Sequence, residues 1–261
     1  MDLGLSGKTA LVLGASKGLG RAIAETLAAE GSNLVIAARN GDSLADLAAK
    51  LEAAHGVSVG TVSLDTSNAD AVAAFATKIR DEIKPDILLA NTGGPAPTTA
   101  LGTEPGAWAG ATQSLLFSMI NLIQAAAEGM ADRGWGRIVV VGSSGIIQPI
   151  PNLAMSNTLR SGIAGFCKTL SAEVAAKGVT VNMVLPGRIH TDRIDELDTA
   201  RSARTGQSLD DVRTQFMNTV PTGRYGDPAE FAAVAVFLMS QQAAYVTGQM
   251  TRVDGGLVQG I

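Results

Sequence analysis

The chain has 261 residues, 46% hydrophobic and 17% charged, with a net charge of −4. That much apolar mass excludes a globally disordered chain, and the acidic balance excludes a general affinity for nucleic acid or anionic membrane. The lone Cys167 excludes an internal disulfide and suits a reducing, cytoplasmic setting, no signal-peptide pattern is read, and the longest apolar run, 231–239, is too short to span a bilayer.

Thr9–Leu13 is a short apolar run that reads as a strand buried on both faces. A glycine-rich turn follows, and residues 21–30 read as a helix capped by Gly31. Asn33–Ala38 is the second strand; Asp42 or Ser43 can N-cap the next helix, and Gly56 closes it. A third strand is expected over 57–64, a helix over 68–83 broken by Pro85, and a fourth strand over 86–90. A long helical region follows over 105–132, then a buried strand over 137–141. The stretch 142–168 begins where that strand runs out and ends inside a helix. Residues 179–185 read as the sixth strand, 228–240 as an apolar helix and 249–253 as a last short strand.

Strands alternate with helices throughout, which predicts one α/β domain over 1–261: a parallel sheet with right-handed crossovers and helices on both faces. The polar insert at 190–220, with a weak helical pattern, is expected to be a substrate lid.

Gly14, Ser16, Lys17, Gly18, Leu19 and Gly20 lie between the first strand and the first helix. Glycines there let the backbone approach a pyrophosphate, and the helix N-terminus offers free N–H groups. The second strand ends in Ala37, Ala38 and Arg39, with no acid to hold a ribose 2′-hydroxyl. Arg39 and Lys17 instead place two cations where a 2′-phosphate would sit, so NADP(H) is expected over NAD(H), with NAD(H) the alternative.

The turn at 14–20, Asn91-Thr92-Gly93-Gly94, Pro186-Gly187, Gly223-Arg224-Tyr225-Gly226 and Val253-Asp254-Gly255-Gly256 together resemble the classical short-chain dehydrogenase/reductase family, in particular its 3-oxoacyl-[acyl-carrier-protein] reductases. The resemblance covers essentially the whole chain. It implies a Rossmann-type doubly wound sheet of about seven strands. It also implies Asp65 near the adenine, Asn91 and Gly93 beside the adenosine ribose, Pro186 and Gly187 along the cofactor, and Ile189 and Thr191 at the nicotinamide carboxamide. It further implies a homotetramer or homodimer built through the long helices.

The family reduces carbonyls with a serine, a tyrosine, a lysine four residues later and an asparagine on the preceding helix. Aligned on Ser143, the tyrosine position is Ser156, the lysine position Arg160 and the asparagine position Leu115, beside Ser114. Taking Ser144 as the serine moves the partner to Asn157. Ser143, Ser156 and Arg160 are therefore the candidate catalytic residues. An alkyl hydroxyl is a poor acid, so water relayed through the two serines, His190 or Tyr225 are the remaining proton sources. Arg160 can bond the ribose, or a carboxylate or thioester oxygen of a substrate. Two scattered histidines and one cysteine make no metal site.

Three readings stay open at this level. The first is an NADP(H)-dependent oxidoreductase acting on a carbonyl or alcohol in a small molecule or acyl thioester. The second is a non-redox enzyme on the same scaffold, and the third a catalytically weak NADP(H)-binding protein. Ile146, Ile147, Pro149, Ile150, Pro151 and Leu153 suggest an apolar wall beside the site.

Overall fold

The computed structural model describes residues 1–260. Seven short runs, each closed by glycine, proline or polar residues, form the strands β1 (Thr9–Leu13), β2 (Asn33–Ala38), β3 (Val59–Ser63), β4 (Ile87–Ala90), β5 (Gly136–Val141), β6 (Val179–Pro186) and β7 (Met250–Val253). They make one sheet in the order β3-β2-β1-β4-β5-β6-β7, and every pairing is parallel. In β1, Ala10 pairs Leu34 on one side and Ile87 on the other.

The helices are α1 (Gly18–Ala29), α2 (Gly41–His55), α3 (Ala69–Lys78), α4 (Pro105–Thr112), α5 (Ser118–Asp132), α6 (Ala154–Val174), α7 (Asp192–Thr205), α8 (Leu209–Met217) and α9 (Pro228–Met239). Alternation along β1 divides the core. Ala10 and Val12 face α1, α2 and α9, while Leu11 and Leu13 face α3, α5 and α6. Helices therefore cover both faces, as the alternating pattern requires.

Several boundaries differ from expectation. α1 begins at Gly18 rather than residue 21, directly after Lys17, with Gly18 at φ +58° making the turn into the helix. Neither Asp42 nor Ser43 caps α2: Asn40 does, accepting from the Ser43 N–H at 3.3 Å. Gly56 closes that helix at φ +68°. The helix over 68–83 is α3 followed by a π-helical turn, and Lys84, at φ +45°, stops it before Pro85 is reached. α4 likewise runs through a π-helical turn, Gln113–Phe117, into α5. The insert at 190–220 forms two helices, α7 and α8, that pack chiefly on each other.

The continuous helix Pro105–Asp132 reaches a mean hydropathy of 1.2, enough by length and composition to cross a membrane. Leu122, Ile123, Ala126 and Met130 of that helix are buried against the sheet, which accounts for its apolar character.

The chain leaves β1 toward β2 on one side, while β4 flanks it on the other. In open parallel sheets, the carboxyl ends of strands at such a switch point open a crevice.

Candidate active site

A cleft of about 1540 Å³ lies at those strand ends. Its floor is the turn after β1, the segment after β4 and the end of β5; α7 borders it from the other side.

The turn after β1 is shaped by glycine. Gly14 sits at φ +66°, and a Cβ there would stand 2.7 Å from Asn91 Nδ2. A Cβ on Gly20 would collide with the Gly14 carbonyl, so Gly20 fixes how closely α1 approaches the turn. Lys17 is the N-cap residue of α1, yet its side chain makes no capping bond, and the first turn carries no acid. The N–H groups of that turn are therefore left for a ligand.

Gly14, Ser16, Lys17, Gly18, Leu19, Arg39, Asn91, Gly93, Pro186, Gly187, Ile189 and Thr191 all line the cleft. Gly20 and Asp65 stand behind its wall. The Asp65 carboxylate accepts from the Ser67 N–H at 2.9 Å and the Ser67 hydroxyl at 2.8 Å, which holds its pKa below the usual range. Asn40 and Ser43, which sequence reasoning missed as site residues, line the cleft beside Arg39 at the start of α2. Lys17 reaches away from Arg39 to α7, where Asp192 and Glu196 each hold its ammonium at 3.6 Å.

Ser143, Ser156 and Arg160 converge on the same cleft. Ser143 Oγ accepts from the Gly145 N–H at 3.0 Å, which leaves its own proton free to donate. Ser156 is buried in the first turn of α6, and Arg160 follows one turn later. The Arg160 guanidinium donates to the Val141 carbonyl at 2.7 Å and the Thr92 carbonyl at 3.4 Å. Desolvation, and then the nearby Arg193, push its pKa down to about 10, so it stays charged at neutral pH.

The other expected proton donors lie elsewhere. Tyr225 donates to Asp198 at 2.8 Å, and burial followed by that carboxylate push its pKa upward. His190 is exposed, with Nε2 3.6 Å from Asp195. Neither lines the cleft. Leu115 is buried against Ala111, Met155 and Leu159, and Ser114 bonds back onto the Gly110 and Ala111 carbonyls, so nothing replaces the asparagine there. Asn157 pins Ile150 through both its N–H and its carbonyl, a structural role that removes it as a partner for Ser144. Cys167 is a core residue whose thiol is pushed up to about 12 by burial. Pro149, Ile150, Pro151 and Leu153 of the expected wall line the cleft, with Gln148 beside them, whereas Ile146 and Ile147 do not.

Comparison with known proteins agrees with this fold. A family model described as Enoyl-(Acyl carrier protein) reductase matches residues 14–258. The chain is 35% identical over 259 residues to the 3-oxoacyl-[acyl-carrier-protein] reductase FabG of Vibrio cholerae serotype O1, covering 98% of this chain and 99% of the relative. It is 34% identical to that of Escherichia coli K12, over 98% and 99% of the two chains. Among solved structures, L-sorbose reductase from Gluconobacter frateurii complexed with NADPH and L-sorbose superposes with a TM-score of 0.93, at 31% identity and full coverage of both chains. YwfH, an NADPH-dependent reductase involved in bacilysin biosynthesis, also gives 0.93, at 30% identity over 98% of this chain and 100% of its own. The fold, the order of the motifs and these matches agree: the chain belongs to the short-chain dehydrogenase/reductase family.

Proposed function

We propose that the protein is an NADP(H)-dependent oxidoreductase acting on a carbonyl or alcohol group, with Ser143, Ser156 and Arg160 in place of the usual serine, tyrosine and lysine. The observation that carries the reading is the cofactor end of the cleft. The glycine turn there leaves the first N–H groups of α1 without a capping side chain, and no acid lines the cleft beside Arg39. A pyrophosphate fits the first feature and a 2′-phosphate the second. The NADPH-bound sorbose reductase supports the same choice.

The bound cofactor supplies a hydride to the carbonyl carbon. The chain's own residues then have two tasks. Ser143 would donate to the carbonyl oxygen, and the fixed Arg160 cation would stabilise the charge that develops there and could bond the hydroxyls of a cofactor ribose. The proton that completes the alcohol comes from water ordered by Ser143 and Ser156, because no phenol or imidazole lines this part of the cleft.

We place the protein in the cytoplasm, acting on a small molecule or acyl thioester as a homotetramer or homodimer. Phe117, 58% exposed on the long helical region, supports assembly through that face. Titration with NADPH and NADH, followed by NADPH oxidation across a panel of ketones, aldehydes and 3-oxoacyl thioesters, tests the reading. Tighter NADH binding sinks the cofactor choice. Tight NADPH binding without turnover, unchanged by Ser143→Ala or Arg160→Ala, identifies a binding protein instead.

A further inference from the structure

Seven basic side chains line the cleft against two carboxylates, Asp192 and Glu196, in a chain whose net charge is −4. Arg39 belongs to the cofactor end, and Lys17 is held on α7 by Asp192 and Glu196. Arg188 is neutralised by the buried Asp198 at 2.6 Å. Four guanidinium groups remain, on Arg160, Arg193, Arg201 and Arg204. Both lining carboxylates are engaged with Lys17, and Glu196 is also 3.5 Å from Arg193. Arg160 has no carboxylate within salt-bridge distance among the described residues; its partners are two backbone carbonyls.

Arg160 and Arg193 meet along one short segment. Arg160 bonds the Thr92 carbonyl, and Arg193 bonds the Pro95 carbonyl at 2.9 Å. A Cβ on Gly94, between them, would stand 3.4 Å from the Arg193 guanidinium. Two like charges held this close in a partly desolvated cleft repel, and an anion between them relieves the repulsion. Arg193, Leu197, Arg201 and Arg204 share one face of α7, so the same helix presents apolar and cationic groups to the cleft. Arg201 Nε is buried without an acceptor.

We propose that the substrate carries a carboxylate, seated between the guanidinium groups of Arg160 and Arg193, with its apolar body against Ile150, Leu153 and Leu197. The proposal rests on the oxidoreductase reading and names the class of carbonyl compound that this cleft accepts. Guanidinium forks match carboxylate geometry, and a hydrogen-bonded ion pair in a desolvated site discriminates strongly against a neutral analogue.

Benzoate and benzamide are the probes, titrated calorimetrically into NADP⁺-saturated protein so that the phosphate sites are filled. Benzoate is expected to bind about tenfold or more tightly than benzamide, and Arg193→Met to abolish the difference while leaving NADPH affinity unchanged. Equal binding of the two probes by the wild-type protein overturns the proposal without recourse to any variant. Benzoate affinity that survives in Arg193→Met overturns the placement. Pantetheine 4′-phosphate is the second arm: if it displaces benzoate and binds more tightly, the anion is the phosphate of a carrier thiol and the carboxylate assignment fails. The benzoate–benzamide pair is also read on the free protein, so a failure of NADP(H) binding counts against the oxidoreductase reading alone.

Discussion

The Arg160 guanidinium and the Val141 carbonyl are 2.7 Å apart, which fixes a cation at the end of β5, one helical turn beyond Ser156. A lysine at this position would share its charge through a flexible stem. The arginine is held by its planar fork and keeps its proton well above neutral pH.

The pH profile follows. No phenol or imidazole lines the catalytic part of the cleft, so kcat for carbonyl reduction is expected to be flat between about pH 6 and 9. Above that range it should fall as Arg160 loses its proton at about 10. In the unfolded chain the same group titrates higher, so between those two values the unfolded state binds more protons and this group's contribution to stability rises with pH. Loss of rate above pH 10 with the fold intact by circular dichroism separates the catalytic effect from unfolding. An acidic limb near pH 7 counts against the assignment.

Restoring the family's acid is the complementary test. Ser156 borders the cleft, so a tyrosine there has space in front of it, and Arg160→Lys supplies the partner that lowers a phenol pKa. The double variant Ser156→Tyr/Arg160→Lys is expected to raise kcat by roughly 10²-fold on a substrate that the wild type already turns over. Steady-state NADPH oxidation reads it; an unchanged or lower kcat shows that the native proton route is not limiting.

Much of this was legible in the sequence. Thr9–Leu13 and Asn33–Ala38 are uninterrupted apolar or small-residue runs with clear breaks, and both strands have the expected bounds. That Ser143, Ser156 and Arg160 would border one cleft was legible only through the family resemblance, which set their register. Other features depend on which of several similar groups meets a given atom. Asn40, Asp42 and Ser43 all carry a capping oxygen, and only the backbone path selects Asn40. The helices of 190–220 were faint because an apolar stripe does not hold them. Asp198, fully buried, accepts from Arg188 and Tyr225, and Arg188 stacks on Phe216. In a sequence those residues look like surface.

Arg39 offers a direct measure of cofactor choice. Arg39→Ala is expected to weaken NADPH binding by about tenfold to a hundredfold and leave NADH nearly unchanged, because only the 2′-phosphate forms the charge-assisted bonds. Fluorescence titration with both nucleotides decides it, and an equal loss for the two sinks the idea.

The Gly20 position tests the cradle. Gly20→Ala drives a methyl group into the Gly14 carbonyl, so α1 must shift from the turn. Overpacking of this kind costs about 1–3 kcal/mol, a fall in Tm of roughly 3–10 °C for a chain of this size. Calorimetry and NADPH titration should show loss of both stability and affinity; unchanged values for both contradict the close approach.

The buried pair under α7 sets how readily that helix opens. Asp198→Asn leaves Arg188 largely buried without its counter-charge, a loss of about 3–5 kcal/mol. Because α7 and α8 pack chiefly on each other, that loss should appear as local opening. Limited trypsin digestion is expected to cut faster at Arg193, Arg201 and Arg204, with little change at sites elsewhere. Unaltered cleavage rates would show that other contacts hold the helix.

The strand order also bears on how the chain is made. β1 is the third strand of the sheet in space but precedes the other six along the chain, and its second neighbour, β4, comes only after β2, β3 and their helices. A nascent chain that has paired β1 with β2, and β2 with β3, keeps the far edge of β1 unpaired, with Ala10, Leu11 and Val12 awaiting Ile87, Leu88 and Leu89. Such an open apolar edge recruits other strands. That edge closes only when β4 arrives, so the interval before β4 is the one in which pairing with another chain competes with the fold.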